Sequence, residues 1–590
     1  MKKPSLKKSK SFYKRIFSYF SNHKFLFVMS VITAAAASGL QLLLPYLMGI
    51  IIDFIPGASR VNFTGVTKYC LIMAAAIVLA GVFQWFVSFI GNKIAFAVCS
   101  DIRKECMERI NTYPVRFFDS ISHGDTVSRI SSDAENISDG ILQLIRQLFI
   151  GVFTLVGSFV LMMRLNWIIT LVVVALTPLA FLLSSFIVRN SNKMFKLQQQ
   201  TVGRLNGFAK EFIEGQKTVK AYSMEKSGIE SFEQENSKLY EYGRKAQFYS
   251  SLVNPCTRFI NSSIYIIVGI VGSILAVLNV VLGGIVMSVG LIASFLAYAL
   301  QFAKPINDIT NVLTQLQTAL VSFERVFAIM DYEPEAAEGE DIHRLNVSRG
   351  EIEFKNVEFS YDKSLPLIKG LNLHIPAGSK VAVVGPTGAG KTTLVNLLMR
   401  FYDAQSGTIT LDSQNIFQSS RESVRKSFGM VLQDTFLFND TIRANIAYGK
   451  PEATDEEVKN AAREAYAHSF IRKLPSGYDT VISADAQEFS AGQKQLITIA
   501  RAMLVNAPVL ILDEATSSVD TLTELRIQKA FNKMMKGKTS FVIAHRLSTI
   551  VDSDLIIVMD KGNVVQTGTH EQLLRSGGLY SEIYNSQFTR

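Results

Sequence analysis

At 590 residues the chain is too long for one domain and fits two to four. Apolar side chains make up 48% of it and the mean hydropathy is +0.23, which excludes an ordinary soluble protein. The net charge of +10 does not indicate nucleic acid: seven of the ten excess charges lie between Met1 and Arg15, with no aromatic-basic platform beside them.

Residues 1–24 read as a basic cytoplasmic segment leading into a membrane domain, residues 25–330. Phe25 to Ile52 carries no charge and far exceeds the 7–15 residues of a signal-peptide core, so it reads as an uncleaved first span. Spans of about 20 apolar residues recur at Tyr69–Phe96, Ile141–Met163, Trp167–Val188, Ser251–Val277 and Leu282–Phe302. The connections alternate. Those after spans one, three and five are short, whereas Ala97–Gly140 and Arg189–Ser250 are long, charged and helix-patterned. Six crossings with the basic tail inside put the tail, the long segments and the C-terminal domain in the cytoplasm. Spans two and four continue as helices, with polar breaks expected at Pro114–Gly124 and Asn206–Ala221. Arg146 and Arg258 fall near cytoplasmic ends, where snorkelling accounts for them. No buried acidic relay supports a proton- or sodium-coupled carrier. Cys70, Cys99, Cys106 and Cys256 show no metal-ligand spacing and read as small buried hydrophobes.

Residues 331–348 are acidic and polar, a linker. From 349 to 590 strands and helices alternate, so the predicted fold is a six-helix all-α transmembrane domain followed by an α/β nucleotide-binding domain. The apolar strand Lys380–Val384 runs into Gly385, Pro386, Thr387, Gly388, Ala389, Gly390, Lys391, Thr392 and Thr393, and a helix follows. This is a P-loop in its required strand–loop–helix setting. Its glycines let backbone N–H groups close around phosphate, Lys391 reaches the β- and γ-phosphates of ATP, and the Thr392 hydroxyl is placed for Mg²⁺. A second apolar strand delivers Asp513, suited to Mg²⁺, and Glu514, suited to polarise an attacking water.

Phe489, Ser490, Ala491, Gly492, Gln493, Lys494 and Gln495 resemble the signature of ABC transporter ATPase domains. With the P-loop and six spans, the whole chain resembles an exporter-type half-transporter of the multidrug and lipid family. The resemblance implies that Tyr361 stacks on adenine, that Gln433 reaches Mg²⁺ and water, that the loop at Asp520 crosses to the partner, and that His545 contacts the γ-phosphate. It implies that Pro114–Asp119 and Glu214–Ala221 couple the domains. It also implies a dimer in which each ATP lies between one chain's P-loop and the other's signature, here Ser490, Ala491, Gly492 and Gln493.

The family's usual signature has leucine and glycine where this chain has Phe489 and Ala491. Ser483–Gln487 replaces the usual Gly-Glu-x-Gly segment. These departures beside an intact nucleotide set resemble one subunit of a heterodimeric exporter. The expectation is therefore an ATP-driven exporter subunit in a bacterial cell membrane, paired with a different half-transporter, in contact with membrane lipids and moving a small amphipathic substrate such as a drug, lipid or small peptide. A homodimeric lipid flippase and a non-transporting regulatory membrane ATPase are the alternatives.

Overall fold

The computed structural model describes residues 10–55, 61–278, 287–336, 338, 342–362, 365–433, 435–483, 489–513, 520–543 and 550–588. The chain divides into two compact units. One comprises Met1–Asn111 and Ser122–Tyr332, the other Thr112–Ile121 and Glu333–Arg590.

The first unit is helical. Its long helices are Lys24–Asp53, Phe63–Ile110, Trp167–Glu214, Glu225–Val277 and Val289–Met330. A further helical run from His123 to Leu165 contains two π-helical turns, Arg129–Asp133 and Leu144–Phe149. Among the described residues five of these are long and apolar enough to cross a membrane, and Trp167–Thr177 is the apolar start of the remaining one. The tight turn before Trp167 has a local cause. Asn166 is extended, and its side-chain oxygen accepts hydrogen bonds from the N–H groups of Ile168 and Ile169 at 3.0 and 3.2 Å, which starts the helix at once.

Several boundaries differ from the sequence reading. The sixth helix is described from Val289, while residues 279–286 lie outside the described set. The break expected over Asn206–Ala221 shrinks to Gly215. The polar stretch before it stays helical to Glu214, and Phe208 and Phe212 stack one turn apart at 5.8 Å. The described part of the basic N-terminal segment is helical and packed. Lys10–Ser21 is a helix that buries Ile16 and Tyr19, and Arg15 pairs with Asp331, lies 3.5 Å from Glu105 and sits 4.2 Å over the ring of Phe327. Of the cysteines, Cys99 and Cys106 are buried, whereas Cys256 is half-buried and Cys70 exposed.

The second unit holds two sheets. Strands β1 (Ile352–Phe359), β2 (Ile368–Ile375), β4 (Ser406–Leu411) and β5 (Gln414–Asn415) form an antiparallel sheet in the order β2-β1-β4-β5. Strands β3 (Lys380–Val384), β6 (Phe428–Val431), β7 (Val509–Asp513), β8 (Thr539–Ile543), β9 (Leu555–Asp560) and β10 (Asn563–Gly568) form the larger sheet, β10-β9-β3-β8-β7-β6, parallel except for edge strand β10. Its inner strands are nearly continuous apolar runs because both faces are covered, whereas edge strand β10 has no buried position. Ala382, Val384, Leu510, Leu512 and Val542 pack into a core with helix Ala491–Val505. The alternate residues Val381, Val383, Val509, Ile511 and Phe541 pack into a second core with helix Lys391–Leu398 and the small sheet.

Candidate active site

The parallel register brings four chain segments to one sheet edge. Val383 of β3 and Asp513 of β7 both pair with Ile543 of β8, and Leu512 pairs with Val431 of β6. The C-terminal ends of β3, β8, β7 and β6 therefore lie side by side, the position where open α/β sheets bind ligands. From these ends issue the P-loop at Gly385, the segment holding His545, the segment holding Glu514, and the loop holding Gln433. Glu514 and His545 themselves lie outside the described residues. Gln433 is described and exposed.

The P-loop closes on itself through its backbone. Gly390 has φ +99°, a left-handed conformation that side chains other than glycine resist, and it starts helix Lys391–Leu398 with no side-chain cap. At Gly385 an added Cβ would stand 2.2 Å from the Met559 carbonyl oxygen, so nothing larger fits between loop and sheet. The Lys391 ammonium curls over the loop and donates to the carbonyls of Gly385 and Pro386 at 2.7 and 3.1 Å. Burial pushes its pKa below the ordinary lysine value, and the Asp513 carboxylate opposes that shift. A half-buried cation held by two carbonyls beside uncapped N–H groups fits an anionic phosphate. Thr392 follows Lys391 in the first helical turn, Asp513 ends β7 half-buried, and Gln433 follows β6; each carries an oxygen donor of the kind Mg²⁺ takes.

Tyr361 lies just beyond β1 and 40% exposed. Its hydroxyl donates to Thr393 Oγ1 at 3.2 Å and accepts from Asn396 Nδ2 at 3.2 Å, tying the aromatic to the P-loop helix. It meets Phe359 and Tyr402 edge-on at 4.9 and 5.0 Å. The short helix Val115–Ser120, within the predicted coupling segment, joins this cluster. Arg116 donates to the Tyr361 carbonyl at 3.4 Å, and the Tyr402 hydroxyl donates to Asp119. Burial, reinforced by Asp119, pushes the Tyr402 phenol pKa upward. The sequence reading did not single out Tyr402; an aromatic directly after the P-loop helix was its only trace.

The signature segment occupies another helix start. Ser490 caps helix Ala491–Val505: its hydroxyl accepts from Gln493 N–H at 3.3 Å, and Gln493 Oε1 accepts from Ser490 N–H at 3.0 Å. Phe489 is buried in the core, Gly492 is buried, and Ala491 is exposed at the first helical position. The replacement Ser483–Gln487 lies mostly outside the described residues. Arg501, unremarked in the sequence, anchors this helix to the loop beyond Gln433. It donates to the Asn445 carbonyl at 2.7 Å and to the Phe436 carbonyl at 3.2 Å, and faces the Tyr448 ring at 5.5 Å. An arginine inside the apolar run from Leu496 to Leu504 was the available signal. Asp520 caps helix Thr521–Met535, and the Thr523 N–H at 2.9 Å holds its carboxyl below the usual carboxylate range.

Similarity to known proteins matches these features. Residues 27–306 match the ABC transporter transmembrane region and residues 368–517 the ABC transporter domain. The chain is 37% identical over its full length, and 96% of the relative's, to the uncharacterised ABC transporter ATP-binding protein YfiC of Bacillus subtilis. The chain belongs to the ABC transporter family. It is also 39% identical, over 90% of its length and 83% of the relative's, to a fatty acid ABC transporter ATP-binding/permease protein of Mycobacterium tuberculosis. It is 32% identical, over 100% of both chains, to an ATP-dependent lipid A-core flippase of Saccharophagus degradans. A solved structure of a bacterial Atm1-family ABC exporter with ATP bound superposes with a TM-score of 0.74 at 28% identity, covering 96% of this chain and 99% of that one. This ABC transporter is thus an ATP-binding, ATP-hydrolysing exporter that spans the plasma membrane several times, with its helical unit followed by an α/β ATPase unit.

Proposed function

We propose that this exporter moves an amphipathic molecule from the cytoplasm or inner leaflet, and that ATP is held and cleaved by the residues at the parallel sheet edge. The juxtaposition of four strand ends beside an uncapped helix start supports this reading best. In it, Tyr361 receives adenine and the P-loop from Gly385 to Thr393 wraps the phosphates. Lys391 releases its carbonyl partners to hold the β- and γ-phosphates. Thr392, Gln433 and Asp513 hold Mg²⁺, which when bound neutralises charge on the phosphates. Glu514 orients the attacking water, His545 contacts the γ-phosphate, and the Asp520 loop crosses to the partner. Replacing Glu514→Gln is expected to preserve ATP binding and lower hydrolysis at this site by at least about 100-fold. Near-normal turnover in the assembled transporter would remove Glu514 from the role of base.

The signature, Ser490 to Gln493, faces ATP held by a second half-transporter. The exposed Cβ of Ala491 at the first turn of its helix favours a partner of different sequence, because this signature serves its composite site less well than the glycine form. Purified alone, the chain is then expected to hydrolyse ATP poorly. Robust turnover without a partner would establish a homodimer that tolerates alanine.

A further inference from the structure

The acidic stretch that follows helix Val289–Met330 carries a built ion cluster. Tyr332 N–H still donates to the Ile329 carbonyl at 3.0 Å, so the hydrogen bonding of that helix runs on to Tyr332. Glu333 and Pro334 alone then separate it from Glu335, and proline fixes its own φ, so the connection is short and stiff. Glu335 belongs to the ATPase unit. Its N–H donates to the Thr112 carbonyl at 2.8 Å, and its half-buried carboxylate receives two arginines. Arg425 donates to Glu335 Oε1 at 2.6 Å, and Arg421 Nε lies 3.2 Å from the same oxygen. Arg421 is buried, and Asp403 accepts from its Nη2 at 2.9 Å. A buried guanidinium depends on such anions, because removing one leaves a charge out of water without its partner.

Both arginines stand on helix Arg421–Lys426, which leads through Ser427 into β6 and on to Gln433. β6 is an edge of the larger sheet, four residues long, and among the described residues it pairs with β7 alone. The ladder holds such a strand from one side, and the helix that feeds it supplies the other constraint. Arg425 adds a second arm. The nitrogen that donates to Glu335 also donates to the Arg400 carbonyl at 3.1 Å, and Arg400 N–H donates to the Leu397 carbonyl in the last turn of the P-loop helix at 3.1 Å. Arg400 has φ +51°, a left-handed conformation that costs a residue other than glycine and persists where its surroundings hold it. One carboxylate thus joins the segment that closes the P-loop helix to the segment that delivers Gln433.

We infer that Glu335 is a positioning residue for ATP hydrolysis: through Arg421 and Arg425 it fixes helix Arg421–Lys426 and so sets where Gln433 stands beside the P-loop. This rests on the reading in which Gln433 serves Mg²⁺ and water at this site. Glu335 itself touches neither nucleotide nor metal in that reading. Because it follows the last membrane helix by so short a connection, the placement of Gln433 is fixed at the point where the chain enters the ATPase unit.

The test uses the assembled transporter in nanodiscs and reads kcat, KM for ATP, and the Mg²⁺ concentration for half-maximal hydrolysis. Glu335→Gln keeps the shape of the side chain and removes its charge. It is expected to lower kcat at least about fivefold and raise the Mg²⁺ requirement at least about threefold, with KM for ATP within about twofold. Glu335→Asp keeps the charge and should restore at least about half of the lost kcat. Arg425→Gln should match Glu335→Gln, and the double variant should be no worse than either by more than about 1.5-fold, because residues acting through one contact are not additive. Should Glu335→Gln fail to fold, Arg425→Gln, at a more exposed side chain, carries the same three readings. A lowered melting temperature with kcat and the Mg²⁺ requirement unchanged would reduce Glu335 to a structural ion pair and overturn the inference. So would losses that multiply in the double variant. Gln433→Ala separates this inference from the reading beneath it. If Gln433→Ala raises the Mg²⁺ requirement and Glu335→Gln does not, Gln433 keeps its role and Glu335 loses the one inferred here. If Gln433→Ala changes neither kcat nor the Mg²⁺ requirement, both fall.

Discussion

The P-loop and the signature segment both open a helix in the same ATPase unit, yet they treat their helix ends in opposite ways. Helix Lys391–Leu398 starts at left-handed Gly390 with no side chain on its first N–H groups. Helix Ala491–Val505 starts in a reciprocal capping box, in which the Ser490 hydroxyl serves the Gln493 N–H and the Gln493 amide oxygen serves the Ser490 N–H. Uncapped N–H groups and their share of the helix dipole are open to an incoming phosphate. The capped end is stable by itself, and a ligand that takes the Ser490 hydroxyl must displace a hydrogen bond within the chain. One end is therefore built to hold nucleotide from within this chain. The other starts with its third N–H already served, and in the reading proposed above it meets nucleotide held by a second half-transporter.

Removing Lys391 gives the largest expected difference between the two ends. Lys391→Ala deletes the cation curled over the P-loop, and ATP hydrolysis at this site should fall by at least about 100-fold. The melting temperature without nucleotide should hardly move, because the ammonium contacts only loop carbonyls. A large loss of thermal stability would mean that Lys391 holds the fold rather than the ligand.

Ala491→Gly sharpens the other side of the contrast. The side chain at 491 is exposed and makes no core contact, so its removal should cost the helix no more than about 1 kcal/mol of propensity. If its Cβ keeps the partner's nucleotide at a distance, turnover of the assembled transporter should rise about two- to fivefold, with ATP affinity at this chain's own P-loop unchanged. No change in turnover would mean that the signature's weakness lies elsewhere, with Ser483–Gln487 the remaining departure.

The same two regions show what a sequence discloses. Gly385, Gly388 and Gly390 sit in a spacing that only one backbone shape satisfies, and a strand and helix frame it, so both loop and fold class were readable. The apolar helices were readable because bilayer thickness sets their length, and among the described residues five reach it. The stretch before Gly215 was misread because polar composition resembles a break, whereas Phe208 and Phe212 support a helix one turn apart. Pro114–Asp119, expected from the resemblance to couple the domains, falls within Thr112–Ile121, which groups with the ATPase unit although helical residues of the other unit flank it on both sides in sequence.

That affiliation supplies the smallest and most local test. The Tyr402 ring packs edge-on against Tyr361 at 5.0 Å, and its hydroxyl donates to Asp119 on the short helix Val115–Ser120. Tyr361 in turn holds the P-loop helix through Thr393. In the reading proposed above, in which Tyr361 receives adenine, a change there has a continuous route of contacts to the short helix Val115–Ser120. Tyr402→Phe keeps the edge-on ring contacts and deletes the hydrogen bond to Asp119. ATP affinity should stay within about twofold, and basal hydrolysis should change little. Stimulation of hydrolysis by a transported amphiphile should fall by about two- to threefold, the scale of one lost charge-assisted hydrogen bond in a partly exposed setting. Asp119→Asn, which keeps an acceptor but removes the charge, should give a smaller loss. If Tyr402→Phe instead weakens ATP binding as strongly as it weakens stimulation, Tyr402 acts only by propping Tyr361, and the coupling signal leaves the nucleotide site by another path.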